Sequence, residues 1–443
     1  MKESYGRHIM WTHGSRIRAG AIAVLLSSGG LVASLPSADG AAQRAAGPEE
    51  VVAGGTLDVY ATQRAPALVR VRGNGSAVAA WVAGDYDVAG PVSVALRSPG
   101  GTWSAPVALS APLGARSGYD VAVGPRGLAS VVWDRKVGGV WQVEESHRSG
   151  GGWTAPVVVD AGRAPHTTVD GRGTTTLAWN RAGVRTSLRT EAGSWTAPTR
   201  VGPGPGSPLQ VASNADGDLV VAWHVGDQVR AAVRPHGSGW SGVKVLRGYP
   251  RRVSVTGVQA AMDPDGRALV LWSTTGIWND SAHEYFNHLG WSRSTPAGAW
   301  SPARYLTRSL GEDGGAVSLT MTAAGTALAG WVQIHRSDSP AFAWAARFRS
   351  TGTWTAPVRV SATRVSWDGP RTWLDPRGVA HLVVGAGDPE RIWSFQQRPG
   401  RSWDAGTRLT RGVFLDAHGQ GRHLVAVYWR AAMLRAMGVT PGA

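Results

Sequence analysis

The 443-residue chain contains no cysteine. Disulfides, thiolate metal sites and a lipid anchor on an N-terminal cysteine are therefore excluded. Lysine is almost missing as well: Lys2, Lys136 and Lys244 stand alone among 45 basic residues. No G-x-S-x-G element, P-loop, zinc motif or dinucleotide fingerprint occurs, so the signatures of several large enzyme classes are lacking. Long apolar runs are lacking too. The most extended one, residues 19–35, is diluted by glycine and serine and is short for a membrane span. It follows Lys2, Arg7, Arg16 and Arg18 with no twin-arginine pair, and it leads to small residues near Gly40 to Ala46. The pattern reads as a secretory signal over residues 1–42, then a short linker (43–53) and one domain (54–443). It predicts a secreted, extracellular protein with no membrane span after cleavage. Without disulfides, such a chain must draw its stability from a large core.

What is plentiful is glycine, with 60 residues, and tryptophan, with 22. Trp103, Trp153, Trp195, Trp240, Trp300, Trp354 and Trp403 each follow a Gly/Ser/Thr-rich turn, at steps of 42 to 60 residues. Five of them open a W-S/T-A-P segment or a close relative, as in GGTWSAPVAL (100–109) and GTWTAPVRV (352–360). A repeat of that period, built from strand-like segments, means a β-propeller. Residues 119–160 show the unit: four short alternating or β-branched runs separated by Gly/Pro/Asp turns, one four-stranded blade. A second series marks the second strand. A glycine lies six residues before Trp81, Trp133, Trp179, Trp223, Trp272 and Trp331; in the seventh unit Gly378 remains but Val384 replaces the tryptophan, and Trp429 continues the series. Both series are expected to fill the inter-blade core. Trp141, Trp291, Trp344 and Trp393 fall on third strands and Trp373 on a first strand, where half-burial is expected. Trp278 and Trp367 lie off every strand pattern.

After Trp403 the chain starts one more unit (412–439) with room for three strands and no closing W-x-A-P strand. Residues 56–62 read as an orphan fourth strand near the other end. The expected fold is therefore all-β: a β-propeller of four-stranded blades, eight in number, with the last blade split between the termini. Seven blades is the competitor, if the last unit packs as a cap. The split removes free sheet edges.

The turn before each fourth-strand tryptophan resembles the Asp-box (BNR) repeat of sialidase-like propellers, S-x-D-x-G-x-S/T-W, as in Gly100-Gly101-Thr102-Trp103. The aspartate five residues before the tryptophan is replaced here by Ser98, Arg148, Thr190, Pro235, Thr295, Arg349 and Arg398. The repeat style also resembles exported propeller proteins of actinobacteria. The resemblance implies that second-to-third loops and blade-to-blade loops share the binding face. For an enzyme of sialidase-like type it implies an arginine triad, a Tyr–Glu nucleophile pair and an aspartic acid, on six blades. Arg64 in QRAPALV (63–69) resembles a segment carrying one such arginine, but Arg163-Ala164-Pro165 repeats it in another blade, which marks a feature of the repeat.

On that face one loop stands out. The spacing from second-strand to fourth-strand tryptophan is 28 in blade five and 16 to 23 in the other five blades that have both. The extra residues lie in STTGIWNDSAHEYFNH (273–288). Trp278, Asp280, His283, Glu284 and Tyr285 combine an aromatic platform with carboxylates and an imidazole, groups that stack on sugar rings and hydrogen-bond hydroxyls. Arg251, Arg252, Trp367 and Asp368 lie in blade-to-blade loops expected on the same face. The net charge is +15, and residues 1–42 carry four basic and two acidic residues, which leaves +13 without them. A basic exported ring suits anionic polymers. The sequence thus points to a secreted, non-catalytic binding propeller, a monomer whose partner is a glycan or anionic cell-envelope polymer, with nucleic acid less favoured. Two other classes stay open: a sialidase-like exo-glycosidase and a protein-interaction scaffold. No cofactor is expected. Nor is a metal, because Asp263-Pro264-Asp265-Gly266, which resembles a calcium loop, recurs as the ordinary turn Asp375-Pro376-Arg377-Gly378.

Overall fold

The computed structural model describes residues 46–439 apart from 55–66, 86–87, 115–116, 150, 192, 251–252, 280–283, 286–287, 308–315, 334–339, 363, 367–368, 387–389 and 431–432. These residues form eight separate antiparallel sheets of four main strands. Among the described residues the helical content is one 3-10 turn, Pro125–Gly127. The first strands of blades one to eight are Ala67–Val71, Tyr119–Val123, Arg163–Val169, Leu209–Ser213, Val253–Met262, Val317–Met321, Arg371–Leu374 and Val413–Gln420. Each lies beside the first strand of the next blade, and Val413–Gln420 lies beside Ala67–Val71. The chain is thus an eight-bladed β-propeller whose first strands surround the axis.

Eight apolar clusters fill the eight interfaces between blades. Trp133, Trp179, Trp223, Trp272 and Trp331 have no exposed surface, and Trp81 has 3%. The seven fourth-strand tryptophans differ from expectation. All are half-buried and pack against the clusters from outside. The fourth strand is the outermost, and there its side chains are covered from one side only. Two more positions are corrected. Trp291 and Trp373 are buried where half-burial was expected. In blade eight Asp416 pairs with Val427, so Tyr428, with no exposed surface, holds the place expected for Trp429, which stays half-buried.

The split blade is present, but its closing strand lies earlier than expected. Ala46–Gly54, part of it assigned to a linker, pairs antiparallel with Met433–Val439, from Ala46↔Val439 to Gly54↔Met433. Residues 56–62 lie outside the described residues. Val52 and Ala53 enter the apolar cluster between blades eight and one. Two glutamates on this strand fix it laterally. Glu49 accepts from Arg430 at 3.2 Å, Arg435 at 3.1 Å and Thr410 of blade seven at 2.9 Å. Glu50 receives the Nε and Nη2 of Arg97, in blade one, at 3.2 and 3.1 Å.

The first-to-second turns explain the recurring glycines and acids. Gly75, Gly127, Gly173, Gly217, Gly266, Gly325 and Gly378 all have φ between +69° and +88°, where a Cβ is penalised. Asp263 accepts the Arg267 N–H at 2.8 Å, and Asp375 those of Arg377 and Val379 at 2.9 and 2.8 Å. These carboxylates cap turns. Many arginines also have structural roles. Arg72 donates to the carbonyls of Gly127 and Leu128 in the next blade, Arg347 to those of Gly378 and Gln397, and buried Arg189 pairs with Glu145 across a blade interface at 2.9 Å.

Candidate functional site

Because each blade runs inward to outward as an antiparallel meander, the blade-to-blade connections and second-to-third loops share one end of the ring. The first strands start there. A common position, defined by its pairing, recurs in them: Leu68, Asp120, His166, Gln210, Gln259, Ser318, Arg371 and Asp416. Each pairs with the residue just before the buried second-strand side chain, from Leu68↔Ala80 and Asp120↔Val132 to Arg371↔Val383 and Asp416↔Val427. Seven of the eight are polar, in strands otherwise rich in apolar residues. The first strand is the inner edge of its sheet, so its inward N–H groups lack a strand partner. The belt supplies one. Asp416 accepts the Val69 N–H at 3.0 Å, Asp120 that of Thr167 at 3.1 Å and Ser318 that of Thr372 at 3.1 Å.

Part of the belt carries charge in a continuous chain across five blades. Arg371 donates its Nε to Asp416 Oδ1 at 2.6 Å. Arg70 donates its Nη1 to Asp416 Oδ2 at 3.0 Å, and its Nη2 lies 3.6 Å from Asp120 Oδ1. Asp120 Oδ2 lies 3.4 Å from His166 Nδ1. Burial divides the roles. The Asp416 and Asp120 side chains are 3% and 12% exposed, whereas Arg70 and Arg371 keep 26% and 27%. The carboxylates are covered, while the two arginine side chains keep exposed surface on the inner strands.

His418 lies two residues beyond Asp416, and its Nδ1 accepts the Val71 N–H at 3.1 Å. Burial, then the Arg70 cation, push its pKa down to about 3, with Asp416 opposing more weakly. The imidazole is neutral in the fold, while the unfolded chain protonates it below about 6.5. Between these values the unfolded state binds more protons, so stability falls as pH drops from about 6.5 towards 3. Part of the residue remains exposed, so the loss from this group is about 2 kcal/mol, smaller than the full shift would give. His418→Asn, which retains an acceptor for the Val71 N–H, is expected to flatten the slope of Tm against pH between 6.5 and 4, with little change at pH 7.5. An unaltered slope in a thermal-melt series would refute this.

The structure brings few of the sequence-derived site residues into view. Arg251, Arg252, Asp280, His283, Trp367 and Asp368 lie outside the described residues. Trp278 was expected off the strands; it belongs to the second strand of blade five, Ala268–Asn279, which extends past its neighbours. Glu284–Tyr285 pairs back onto it, with Ile277↔Tyr285 and Asn279↔Glu284 in register, so the insertion starts as a hairpin. Other polar residues at this end latch loops. Asp134 accepts the Gly118 and Ala164 N–H groups at 2.7 and 2.6 Å, and Asn180 accepts that of Gly206 at 2.8 Å. The charged belt was not anticipated, although it had a signal. Asp120, His166, Gln210, Gln259, Ser318 and Arg371 each lie 13 residues before Trp133, Trp179, Trp223, Trp272, Trp331 or Val384. Among the described residues no cluster of His, Asp and Glu could hold a metal ion, and no helix is long and apolar enough to cross a membrane.

No protein-family model matches the chain, and no curated protein does. Among solved structures it is similar to a polysaccharide lyase, PL25-Ulvanlyase, bound to -[GlcA(1-4)Rha3S]-, with 11% identity over 90% of this chain and 96% of the other, at a TM-score of 0.49. It is also similar to the α-L-arabinofuranosidase Arb93A from Fusarium graminearum in complex with an iminosugar inhibitor, at 12% identity, 79% and 97% coverage and a TM-score of 0.45. A protein of unknown function from Dyadobacter fermentans gives 11%, 89% and 99%, and 0.42. Likenesses this distant carry no argument about the chemistry of this chain.

Proposed function

We propose that the protein is an exported glycan-binding propeller that holds acidic sugars at the mouth of its ring without turning them over. The observation that carries this is the pair Arg70 and Arg371, each about a quarter exposed and fixed on either side of one covered carboxylate, Asp416. Oriented guanidinium groups suit two-point hydrogen bonding to carboxylate, sulfate or phosphate. Asp416 already receives three donors, from Val69, Arg70 and Arg371. That leaves it an orienting acceptor and argues against use as an acid or nucleophile. The net charge, +15 for the full chain and +13 without residues 1–42, adds long-range attraction for polyanions.

The loops expected to complete the site join strands that end at the same mouth. Arg251 and Arg252 stand between Lys244–Gly248 and Val253–Met262, and Trp367 and Asp368 precede Arg371–Leu374. Trp278, Glu284 and Tyr285 belong to the blade-five hairpin, and Asp280 and His283 stand between them in sequence. In this reading Trp278 supplies a stacking face and the others polar contacts. An array of acidic and neutral oligosaccharides, probed with the purified chain at two salt concentrations, tests it. Retention of acidic glycans that weakens with salt is expected, with Arg371→Ala and Trp278→Ala each weakening it about tenfold. Retention of neutral glycans alone, or of none, would overturn the reading. Release of reducing ends from an acidic glycan would replace it with the exo-glycosidase alternative.

A further inference from the structure

A second feature lies at the opposite end of the ring, away from the axis. There the first-to-second and third-to-fourth turns of blade five meet the third-to-fourth turn of blade six around a cavity of about 420 Å³. That is within the range of small-ligand sites, about 300–1,000 Å³. Its chemistry is two-sided. Arg267, Arg293 and Arg304 contribute cations, and Trp291 and Trp300 contribute indole rings.

The walls are fixed. Behind the cavity Trp291 lies edge-on to Phe348 at 5.7 Å and to Trp354 at 6.3 Å, and the Arg293 guanidinium sits 5.3 Å over the Phe348 ring. Arg293 also donates to buried Asp263 at 2.7 Å, and Arg267 pairs with Asp265. The rim is stapled. Ser301 N–H reaches the Arg293 carbonyl at 2.9 Å, and the turn closes through Thr295 N–H to Ala299 O at 2.7 Å and Gly298 N–H to Thr295 O at 3.0 Å. Arg304 differs from the other two cations. It is exposed, lies 5.9 Å over the Trp291 ring and has no carboxylate partner among the described residues. Three arginines against two carboxylates leave the cavity with an unbalanced cation beside an aromatic floor.

We infer that this cavity is a second binding site, for a single acidic sugar unit. The ring of such a sugar would stack on Trp300, which is half-buried with part of its surface turned outward, and its carboxylate or sulfate would pair with Arg304. Arg267 and Arg293, already engaged, would act as flanking donors. This inference is independent of the axial reading: the two sites lie on opposite faces and have no common residue.

Isothermal titration of the purified chain with tetragalacturonate, with its fully methyl-esterified form and with inorganic sulfate separates the possibilities. The axial variant Arg371→Ala serves as background, so that the axial contribution is weakened. Tetragalacturonate is expected to bind that background, the methyl ester to bind at least tenfold more weakly, and sulfate alone hardly at all. Arg304→Ala should lower tetragalacturonate affinity about tenfold or more while leaving Tm in place, because Arg304 is exposed. Ala299→Glu, which puts a carboxylate at the cavity edge, should abolish binding. Equal affinity for the acid and its methyl ester, or an isotherm untouched by both Arg304→Ala and Ala299→Glu in folded protein, would overturn the inference. If Arg371→Ala binds tetragalacturonate as the parent does and Arg304→Ala alone loses it, the cavity stands and the axial proposal falls.

Discussion

A chain lacking residues 46–54 is expected to lose the cooperative stability of the whole ring. Removing this strand exposes the edge of Met433–Val439, uncovers the cluster in which Val52 is 3% exposed, and leaves Thr410 without Glu49 and Arg97 without Glu50. Burial of one valine contributes about 1.5–3 kcal/mol. The larger loss is closure, because each blade depends on its neighbours, and an open ring has two unprotected faces. Calorimetry should show a lower and broader transition, and a synthetic peptide of residues 46–54 added in excess should restore part of it. Val52→Asp tests the same point with one residue, by placing a charge in the cluster without a partner. A truncated chain that melts like the parent would mean that closure by this strand contributes nothing to the ring.

Trp179→Ala should cost roughly 3–5 kcal/mol. The side chain has no exposed surface and shares its cluster with Val132, Val143 and Leu177. The backbone leaves little room for collapse into the vacancy. At Gly162 the chain passes so near that a Cβ there would lie 2.3 Å from Trp179 Cδ1. The cavity left by truncation therefore stays open, and the cost falls at the upper end of the range. A Tm lower by roughly 5–10 °C is the expected reading. The fourth-strand Trp195 is half-buried in the same cluster, so Trp195→Ala should cost clearly less. Equal losses for the two would show that rim and core tryptophans bear the same load, against the packing described above.

The two tryptophan series show how far the sequence alone reached. Their spacing determined the repeat, the four-stranded unit, the eight blades and the division of the last blade between the ends. All of these follow from local pattern, because a blade is built from consecutive residues and each turn needs its own glycine. Burial of Trp81, Trp133, Trp179, Trp223, Trp272 and Trp331 followed from the same regularity. Contact between distant residues did not. Ala46–Gly54 lacks the W-x-A-P mark, so nothing local showed that it would pair with Met433–Val439, nearly the whole chain away. The register that puts Tyr428 in place of Trp429 is a property of pairing, invisible along one strand. The belt was written in the sequence at a constant interval before the second-strand tryptophans, but its meaning depends on ring closure. Arg371, Asp416, Arg70 and Asp120 become neighbours only when blades seven, eight, one and two are brought side by side. The cavity of Arg304 and Trp300 likewise needs the turns of two adjacent blades. Periodicity specifies the units; which charges face one another depends on how the units close around the axis.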